Sequence, residues 1–320
     1  MYRIGIDLGG TNIAVGLVDE NYKIIEKYST PTLAKRPSDD IADDMAMACR
    51  KVCEIAGVDM SAVDAVGIAA PGVANHDKGV IEYSCNLPFI KYPIAEVLKS
   101  KLPEVALFSV ENDANAAAWG EAVAGAAKGT SNSVMITLGT GVGGGIIIDN
   151  KICSGHNFAG GELGHIVIEF NGRPCSCGRR GCWETYSSAT ALVAMTKEKL
   201  DECARTGRKT LMTDIVAQQG KINGRTTPDA MRMGDEAAKE VYDVYVRYLA
   251  CGLTNIVNIF QPEVISLGGG ISNEGQSLID AVLPDVHKYQ YGSGFVDPAD
   301  IRIAKLGNDA GIIGAACLGL

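Results

Sequence analysis

The sequence is poor in basic residues, and this deficit narrows the functions that the protein can have. It contains 29 lysines and arginines against 38 aspartates and glutamates, which gives a net charge of −9 and a pI near 5.0. A protein that binds the phosphate backbone of nucleic acid needs a clustered basic face. We therefore expect no nucleic acid among its partners.

Long apolar segments and a signal-like leader are also missing. No apolar run reaches the 18 residues of a membrane-spanning helix, and the alternating pattern of a strand begins directly in "MYRIGIDLGG". We expect a cytoplasmic protein without a membrane partner. With 320 residues, 47% of them hydrophobic, the chain can bury a large core and is long enough for two domains.

A hairpin pattern occurs twice, at a spacing of 130 residues. Apolar runs at 2–8 and 13–18 flank "GGTN", and "SVMITLGTGVGGGIIID" at 133–149 has the same form. Helices and further strands follow both hairpins, which predicts a duplicated α/β architecture with a cleft between two domains. Small residues at 114–127 and 309–319 predict two helices that cross closely, although ordinary close packing would use the same residues.

The sequence has no Walker-type phosphate loop, because no lysine follows "DLGGTN" or "LGTGVGGG". Glycine turns still present consecutive backbone N–H groups to an anion, and the hydroxyls of Thr11 and Thr140 add donors. Gly268–Gly270 form a third such turn. A simple hairpin turn remains the alternative at each place. Asp7 beside the first turn is compatible with phosphate only if a cation such as Mg²⁺ lies between them.

Three cysteines occur together in a loop that contains glycine and arginine. The spacing CxCx4C of Cys175, Cys177 and Cys182 predicts a site for a soft metal. His165 is the favoured fourth ligand, because "GELGH" runs into a predicted strand, "IVIEF", from which a short hairpin could return the cysteine loop; His156 is the alternative. A closed Cys₃His set predicts structural zinc, with an iron–sulfur cluster as the other possibility.

A carboxylate stands where the apolar strand of "FSVENDANAAAWGE" ends and a helix begins. This edge of an α/β sheet is where ligands bind. Asp113 can cap the helix, or it can take the proton from a substrate hydroxyl that attacks a γ-phosphate, and one side chain can do both.

Six segments, "DLGGTN", "ENDANAAAWGE", "LGTGVGGG", "GELGH", "CSCGRRGCWE" and "LGGG", occur in the order in which the ROK family of bacterial sugar kinases and repressors has them. The chain resembles that family over its whole length. The resemblance implies the α/β, two-domain actin/hexokinase-like (ribonuclease H-like) ATPase fold, with an internally duplicated β-meander and an interdomain cleft. It places residues 1–112 and a C-terminal helix at about 306–320 in a smaller domain, and residues 113–305 in a larger domain with the zinc loop.

The resemblance also implies roles for individual residues. Asp113 corresponds to the catalytic base and Asp7 to the acid that holds Mg²⁺ through water. The implied ATP and phosphate ligands are Asp7, Gly9, Gly10, Thr11, Asn12, Gly139, Thr140, Gly141, Gly268, Gly269 and Gly270. The implied sugar ligands are Asn86, Asn112, Asp113, Glu162, His165 and Glu184, and the implied zinc ligands are His165, Cys175, Cys177 and Cys182.

Among family members, the chain resembles most the kinases that phosphorylate the 6-hydroxyl of glucose with ATP. Kinases for N-acetylmannosamine, fructose or allose share the same catalytic set, and Pro88 and Phe89 stand where many glucose kinases have tryptophan. A sugar-sensing repressor is a further possibility, but the first strand begins at residue 2 and we expect no DNA-binding domain before it. A non-catalytic sugar-binding protein is another possibility, although the presence of both Asp7 and Asp113 favours a kinase. The resemblance implies a homo-oligomer, either a dimer or a tetramer.

Overall fold

Antiparallel strands open the chain, as the alternating apolar patterns predict. The computed structural model describes residues 1–84 and 86–319. Leu320, the last residue of the predicted C-terminal helix, lies outside the described residues, as does Cys85. In chain order the strands are β1 (Tyr2–Leu8), β2 (Asn12–Asp19), β3 (Ile24–Pro31), β4 (Val63–Ala70), β5 (Val73–Asn75), β6 (Val80–Tyr83), β7 (Ile90–Tyr92), β8 (Leu107–Asn112), β9 (Ser133–Leu138), β10 (Val142–Ile148), β11 (Lys151–Ile152), β12 (Val264–Gly268) and β13 (Asp300–Ile303).

The helices lie between and after these strands. They are α1 (Ser38–Ala56), α2 (Ile94–Lys101), α3 (Asp113–Val123), α4 (Glu184–Ser187), α5 (Ala189–Thr206), α6 (Leu211–Gln219), α7 (Thr226–Arg232), α8 (Glu236–Phe260), α9 (Gln276–Tyr289) and α10 (Ala310–Ala316). The C-terminal helix is thus shorter than the predicted 306–320, because the 3-10 turn Gly307–Asp309 precedes it.

The predicted duplication is visible in the sheets. The first five-stranded sheet has the order β3-β2-β1-β4-β8, and the second has the order β11-β10-β9-β12-β13. In the first sheet β1 pairs antiparallel with β2 and parallel with β4, and β4 pairs parallel with β8. The fold class is therefore α/β with mixed sheets, as predicted.

The chain divides into two compact units, and each unit is formed by more than one segment of the sequence. The N-terminal unit comprises Met1–Met135, Gly144–Gly161 and Ala304–Leu320, and the C-terminal unit comprises Ile136–Gly143 and Glu162–Ile303. Strands β9 and β10 thus pass through both units. The predicted domain limits, with a cut after residue 112, remain a prediction.

The core of the N-terminal unit lies under its mixed sheet. Fully buried Ile4, Ile6 and Ile68 on the strands contact apolar side chains of α1 and α2, such as Met45 and Leu98. Close packing of the sheet against these helices leaves the strands little freedom to slide, so it fixes the positions at which β1, β4 and β8 end. Those strand ends carry the candidate site.

Helices α3 and α10 of the N-terminal unit cross with almost no space between their backbones. A Cβ atom added to Gly314 would lie 1.7 Å from the carbonyl oxygen of Ala116, and one added to Gly120 would lie 2.4 Å from that of Ala310. The predicted close crossing of two small-residue helices is therefore correct. Only glycine permits this approach, because any side chain at these points would overlap backbone atoms.

The C-terminal unit contains the parallel pair β12–β13 and a group of helices around α8, whose 25 residues form its longest helix. Trp183 is fully buried against Gly252 of α8, and its Nε1 donates to the carbonyl of Tyr248 at 3.1 Å. Within the described residues, no helix combines the length and apolarity that crossing a membrane requires.

The predicted strand at 166–170 is wrong. Val167 makes only an isolated antiparallel bridge with Cys182, supported by bonds from Ile168 N to Gly181 O and from Trp183 N to Ile166 O. The cysteine loop still returns beside this segment, so the expected proximity of His165 and the cysteines does not depend on a regular strand.

Candidate functional site

The first glycine turn joins β1 to β2 in the N-terminal unit. The N–H of Gly9 donates to Asn12 O at 2.9 Å, which closes a tight turn, and Thr32 donates through its hydroxyl to Gly9 O at 2.6 Å. Gly10, Thr11 and Asn12 are exposed at the tip. Asn86 lies nearby, since a Cβ on Gly10 would be 3.9 Å from the Asn86 Cβ. Hydrogen bonds to Gly9 therefore fix the base of the turn, and its exposed tip is accessible to an anion.

Asp7 precedes this turn at the end of β1, where its carboxylate is largely withdrawn from water. Burial and, to a lesser extent, the negative charge of Asp113 together raise its pKa to about 6. The backbone of α10 is close on one side, because a Cβ on Gly311 would lie 2.8 Å from Asp7 Oδ2. A divalent cation bound beside this carboxylate would favour its ionised form.

Asn112, not Asp113, caps helix α3. Its Oδ1 accepts from the N–H groups of Ala114 and Asn115, and its Nδ2 donates to Gly72 O at 3.0 Å. One amide hydrogen of Asn112 is left for a substrate hydroxyl. Asp113 is the first helical residue, is exposed, and accepts from the N–H of Ala114 at 2.9 Å through Oδ1.

Pro88 and Phe89, which stand where many glucose kinases have tryptophan, lie at the edge of the apolar core of the N-terminal unit. Phe89 is fully buried and its ring lies 5.1 Å from that of Tyr92, whereas Pro88 is exposed. The aromatic side chain therefore fills the apolar interior of the N-terminal unit. It gives no evidence for or against a particular sugar.

The second and third glycine turns come together in the C-terminal unit. In the second turn the N–H of Gly139 donates to Gly141 O at 3.0 Å, and the first residue of α5 donates to Gly139 O at 2.8 Å. Gly269 of the third turn has φ +82°, and a Cβ there would lie 2.6 Å from backbone atoms of Leu138. The sequence predicted two phosphate or nucleotide turns here, and the structure places them side by side.

The segment "GELGH" lies against the strand that leaves the second turn. A Cβ on Gly164 would be 2.1 Å from Val142 O, so the 3-10 turn Leu163–His165 packs directly on this strand. Glu184, at the start of α4, accepts through Oε2 from the N–H of Val142 at 3.0 Å. Glu184 thus contacts the exit of the second glycine turn, and Glu162 and His165 lie at the two ends of the 3-10 segment that packs on the same strand.

His165, Cys175, Cys177 and Cys182 form the predicted cluster. Their potential ligand atoms all lie within 4.8 Å of one another. Cys177 Sγ is 3.6 Å from Cys182 Sγ, and Cys175 Sγ is 3.7 Å from His165 Nδ1. A tetrahedral zinc ion with Zn–S bonds of about 2.3 Å and Zn–N bonds of about 2.0 Å separates its ligand atoms by roughly 3.5–3.8 Å. The four side chains can therefore hold a metal ion, with His165 Nδ1 as the nitrogen ligand.

Sequence reasoning missed the support beneath Asn112 and Asp113. Glu111 is buried at the end of β8 and its Oε2 lies 2.9 Å from His76 Nδ1. The signal was present in "FSVEND", where a charged residue follows three apolar or small ones in a predicted strand. An acid at such a position has to find partners inside the protein.

The geometry within the units defines a class of protein. Glycine turns suited to phosphate, one carboxylate at the end of β1 and another directly after β8 of the same sheet, and a duplicated mixed sheet are the features of a phosphotransferase of the duplicated α/β type. The ROK family model matches residues 3–320, and the chain belongs to the ROK family.

Similar proteins cover the whole chain. A glucokinase of Streptomyces coelicolor is 38% identical over 317 residues, which are 98% of this chain and 96% of that protein. A glucokinase of Thermotoga maritima is 35% identical over 316 residues, with the same shares covered. The crystal structure of a ROK family glucokinase from Streptomyces griseus in complex with glucose and AMPPNP is 34% identical, covers 99% of both chains and has a TM-score of 0.79. These similarities confirm the two-domain sugar-kinase fold.

Proposed function

We propose that the protein transfers the γ-phosphoryl group of ATP to the 6-hydroxyl of glucose. The observation that carries this proposal is the pair Asp7 and Asp113, which stand at strand ends of one sheet and are close enough for the charge of Asp113 to raise the pKa of Asp7. The full-length similarity to glucokinases of two bacteria supports glucose as the acceptor.

Asp113 acts as the general base in this proposal. Its exposed carboxylate takes the proton of the 6-hydroxyl as that oxygen forms a bond to the γ-phosphorus, and the bond from the γ-phosphorus to the oxygen of the leaving ADP breaks. Position N1 of α3 keeps the carboxylate in a fixed direction, because Asn112 caps the helix and the Asp113 Oδ1 is anchored on the N–H of Ala114.

Asp7 would hold Mg²⁺, and the ion would neutralise charge on the phosphates when bound. The exposed tip Gly9–Asn12 and the turns at Gly139–Gly141 and Gly268–Gly270 would bind phosphates and the adenosine side through backbone N–H groups. Asn86, Asn112, Glu162, His165 and Glu184 would bind sugar hydroxyls. The cluster of His165, Cys175, Cys177 and Cys182 would hold structural zinc, because all four ligands come from protein and no position is left for a substrate water.

The test is ADP release from ATP and Mg²⁺ with a panel of glucose, mannose, fructose, allose, N-acetylglucosamine and N-acetylmannosamine. We expect glucose to have the highest kcat/KM, and Asp113→Asn to be the inactive control. A preference for an N-acetylated sugar would keep the reaction and change the substrate. Sugar binding without ADP release from any of them would refute the kinase proposal.

A further inference from the structure

Glu111 is a buried carboxylate directly before the two residues that face the substrate. Its side chain is 2% exposed. Oε1 accepts from the N–H of Asn112 at 2.8 Å and from Asn115 Nδ2 at 3.1 Å, and Oε2 lies 2.9 Å from His76 Nδ1. A buried carboxylate is costly unless such bonds satisfy it, so it restrains the groups that bond to it.

His76 brings a second segment of the N-terminal unit to this carboxylate. It follows β5, and Gly72, just before β5, accepts from Asn112 Nδ2 at 3.0 Å. The segment 72–76 is therefore hydrogen-bonded to the end of β8 at two residues. His76 bonds to Glu111, and Gly72 bonds to Asn112. The two bonds restrain different side chains at the junction of β8 and α3. One holds the side chain of Glu111, and the other holds that of Asn112.

The ring of His76 also contacts the loop that leads to Glu162. Phe158 lies edge-to-face on it, with centroids 4.7 Å apart and planes at 78°. Phe158 has φ +63°, a left-handed backbone conformation that a residue with a side chain rarely adopts. In the same loop, Gly161 approaches Asn115, because a Cβ on it would be 3.5 Å from Asn115 Oδ1. One group of side chains thus contacts both the strand end and this loop.

We propose that His76 and Glu111 are positioning residues that hold Asn112 and Asp113 in the orientation required for proton transfer. The inference rests on the proposed function, and neither residue touches the reacting atoms in it. Loss of the hydrogen bond between His76 and Glu111 would free the buried carboxylate to turn and let the start of α3 shift. A misplacement of about 1 Å lowers the rate of an enzymatic step by roughly a hundredfold.

Paired variants separate the hydrogen bond from the ring contact. His76→Phe keeps an aromatic ring for Phe158 but has no donor for Glu111. His76→Asn keeps a donor at the place of Nδ1 but has no ring. We expect His76→Phe to lower kcat roughly ten- to hundredfold with the KM for ATP changed less than about twofold, and His76→Asn to stay within about threefold of the unmodified protein.

Glu111→Gln and Glu111→Ala form the second pair. The glutamine side chain can accept from Asn112 and Asn115 with its oxygen and donate to neutral His76 with its amide, whereas alanine removes all three bonds. We expect Glu111→Ala to show the loss of kcat and Glu111→Gln to retain most of it. Asp77→Asn is the control, because Asp77 is an exposed partner of His76, 3.6 Å from Nε2, and is not part of the support.

Amide hydrogen exchange of residues 109–118 provides a measurement that does not need turnover. Faster exchange in His76→Phe and Glu111→Ala, but not in His76→Asn or Asp77→Asn, supports the inference even if the kinase proposal itself fails. Unchanged kcat and exchange in His76→Phe would refute it. Equal losses in both His76 variants, accompanied by equal losses of thermal stability, would also refute it, since this would show a structural role only.

Discussion

Replacement of Asp7 by asparagine should make the protein more stable while it removes activity. Burial, together with a smaller contribution from the charge of Asp113, raises the pKa of Asp7 from its ordinary value of 3.8 to about 6. Each tenfold change in an ionisation constant is worth about 1.4 kcal/mol, so ionised Asp7 destabilises the folded protein by on the order of 3 kcal/mol. Asparagine has nearly the same shape and no charge.

The effect has a definite dependence on pH. Between pH 4 and 6 the folded protein retains a proton on Asp7 that the unfolded chain has lost, so the stability of the unmodified protein falls as the pH rises through this window. The advantage of Asp7→Asn is therefore complete above pH 6, about half as large at pH 5, and absent below about pH 4. At pH 7 to 8 it corresponds to a rise in Tm of roughly 4–5 °C for a chain of 320 residues.

The assay is thermal unfolding in Mg²⁺-free buffer at several pH values, because a cation bound to Asp7 would offset the cost of its charge. Asp19→Asn is the matched control from the same hairpin. Hydrogen bonds from the backbone of Lys23 and Asn21 lower the pKa of Asp19, so its replacement should change stability in the opposite direction. An Asp7→Asn protein that is no more stable than the unmodified one between pH 6 and 8 would contradict the environment assigned to Asp7.

Four further predictions concern other parts of the molecule. Asp113→Asn should lower kcat roughly 10²- to 10⁴-fold with sugar binding largely retained, and a near-normal kcat would exclude it as the base. The purified protein should contain about one zinc per chain by elemental analysis. Cys177→Ser should release the metal and weaken binding of both glucose and ATP in calorimetry, whereas Cys251→Ser, in an exposed cysteine outside the cluster, should do neither. Gly314→Ala should destabilise the protein by several kcal/mol in urea unfolding, because its methyl group would overlap the carbonyl of Ala116; a change below about 1 kcal/mol would show that the helices can separate easily.

Local patterns were sufficient to predict much of the fold from the sequence. The hairpin at 2–18 and its copy at 133–149 were recognisable because alternating apolar residues and a glycine turn are properties of neighbouring residues. The segment 166–170 also has an alternating apolar pattern, yet it forms only an isolated bridge with Cys182. Here the cysteine loop determines the local structure, and contacts of that kind are invisible in local periodicity.

The candidate site was predictable where one residue type has few other uses. Three clustered cysteines indicate a metal site directly, whereas each glycine turn, taken alone, is equally typical of a simple hairpin. The pair of His76 and Glu111 was not predictable, because 35 residues separate them and each alone has an ordinary explanation. The capping role of Asn112 was also missed, since asparagine and aspartate are almost equally good helix caps and only the hydrogen bonds distinguish them.

The contacts of Glu184 explain how a metal that takes no part in the reaction can still matter for it. Glu184 follows the buried ligand Cys182 by two residues, and its carboxylate accepts the N–H of Val142, the residue directly after the second glycine turn. A metal held by the cysteine loop would fix the start of α4 and, through this one hydrogen bond, the exit of the turn. Loss of the metal should therefore disturb the exit of the glycine turn together with Glu184, which we propose to bind sugar.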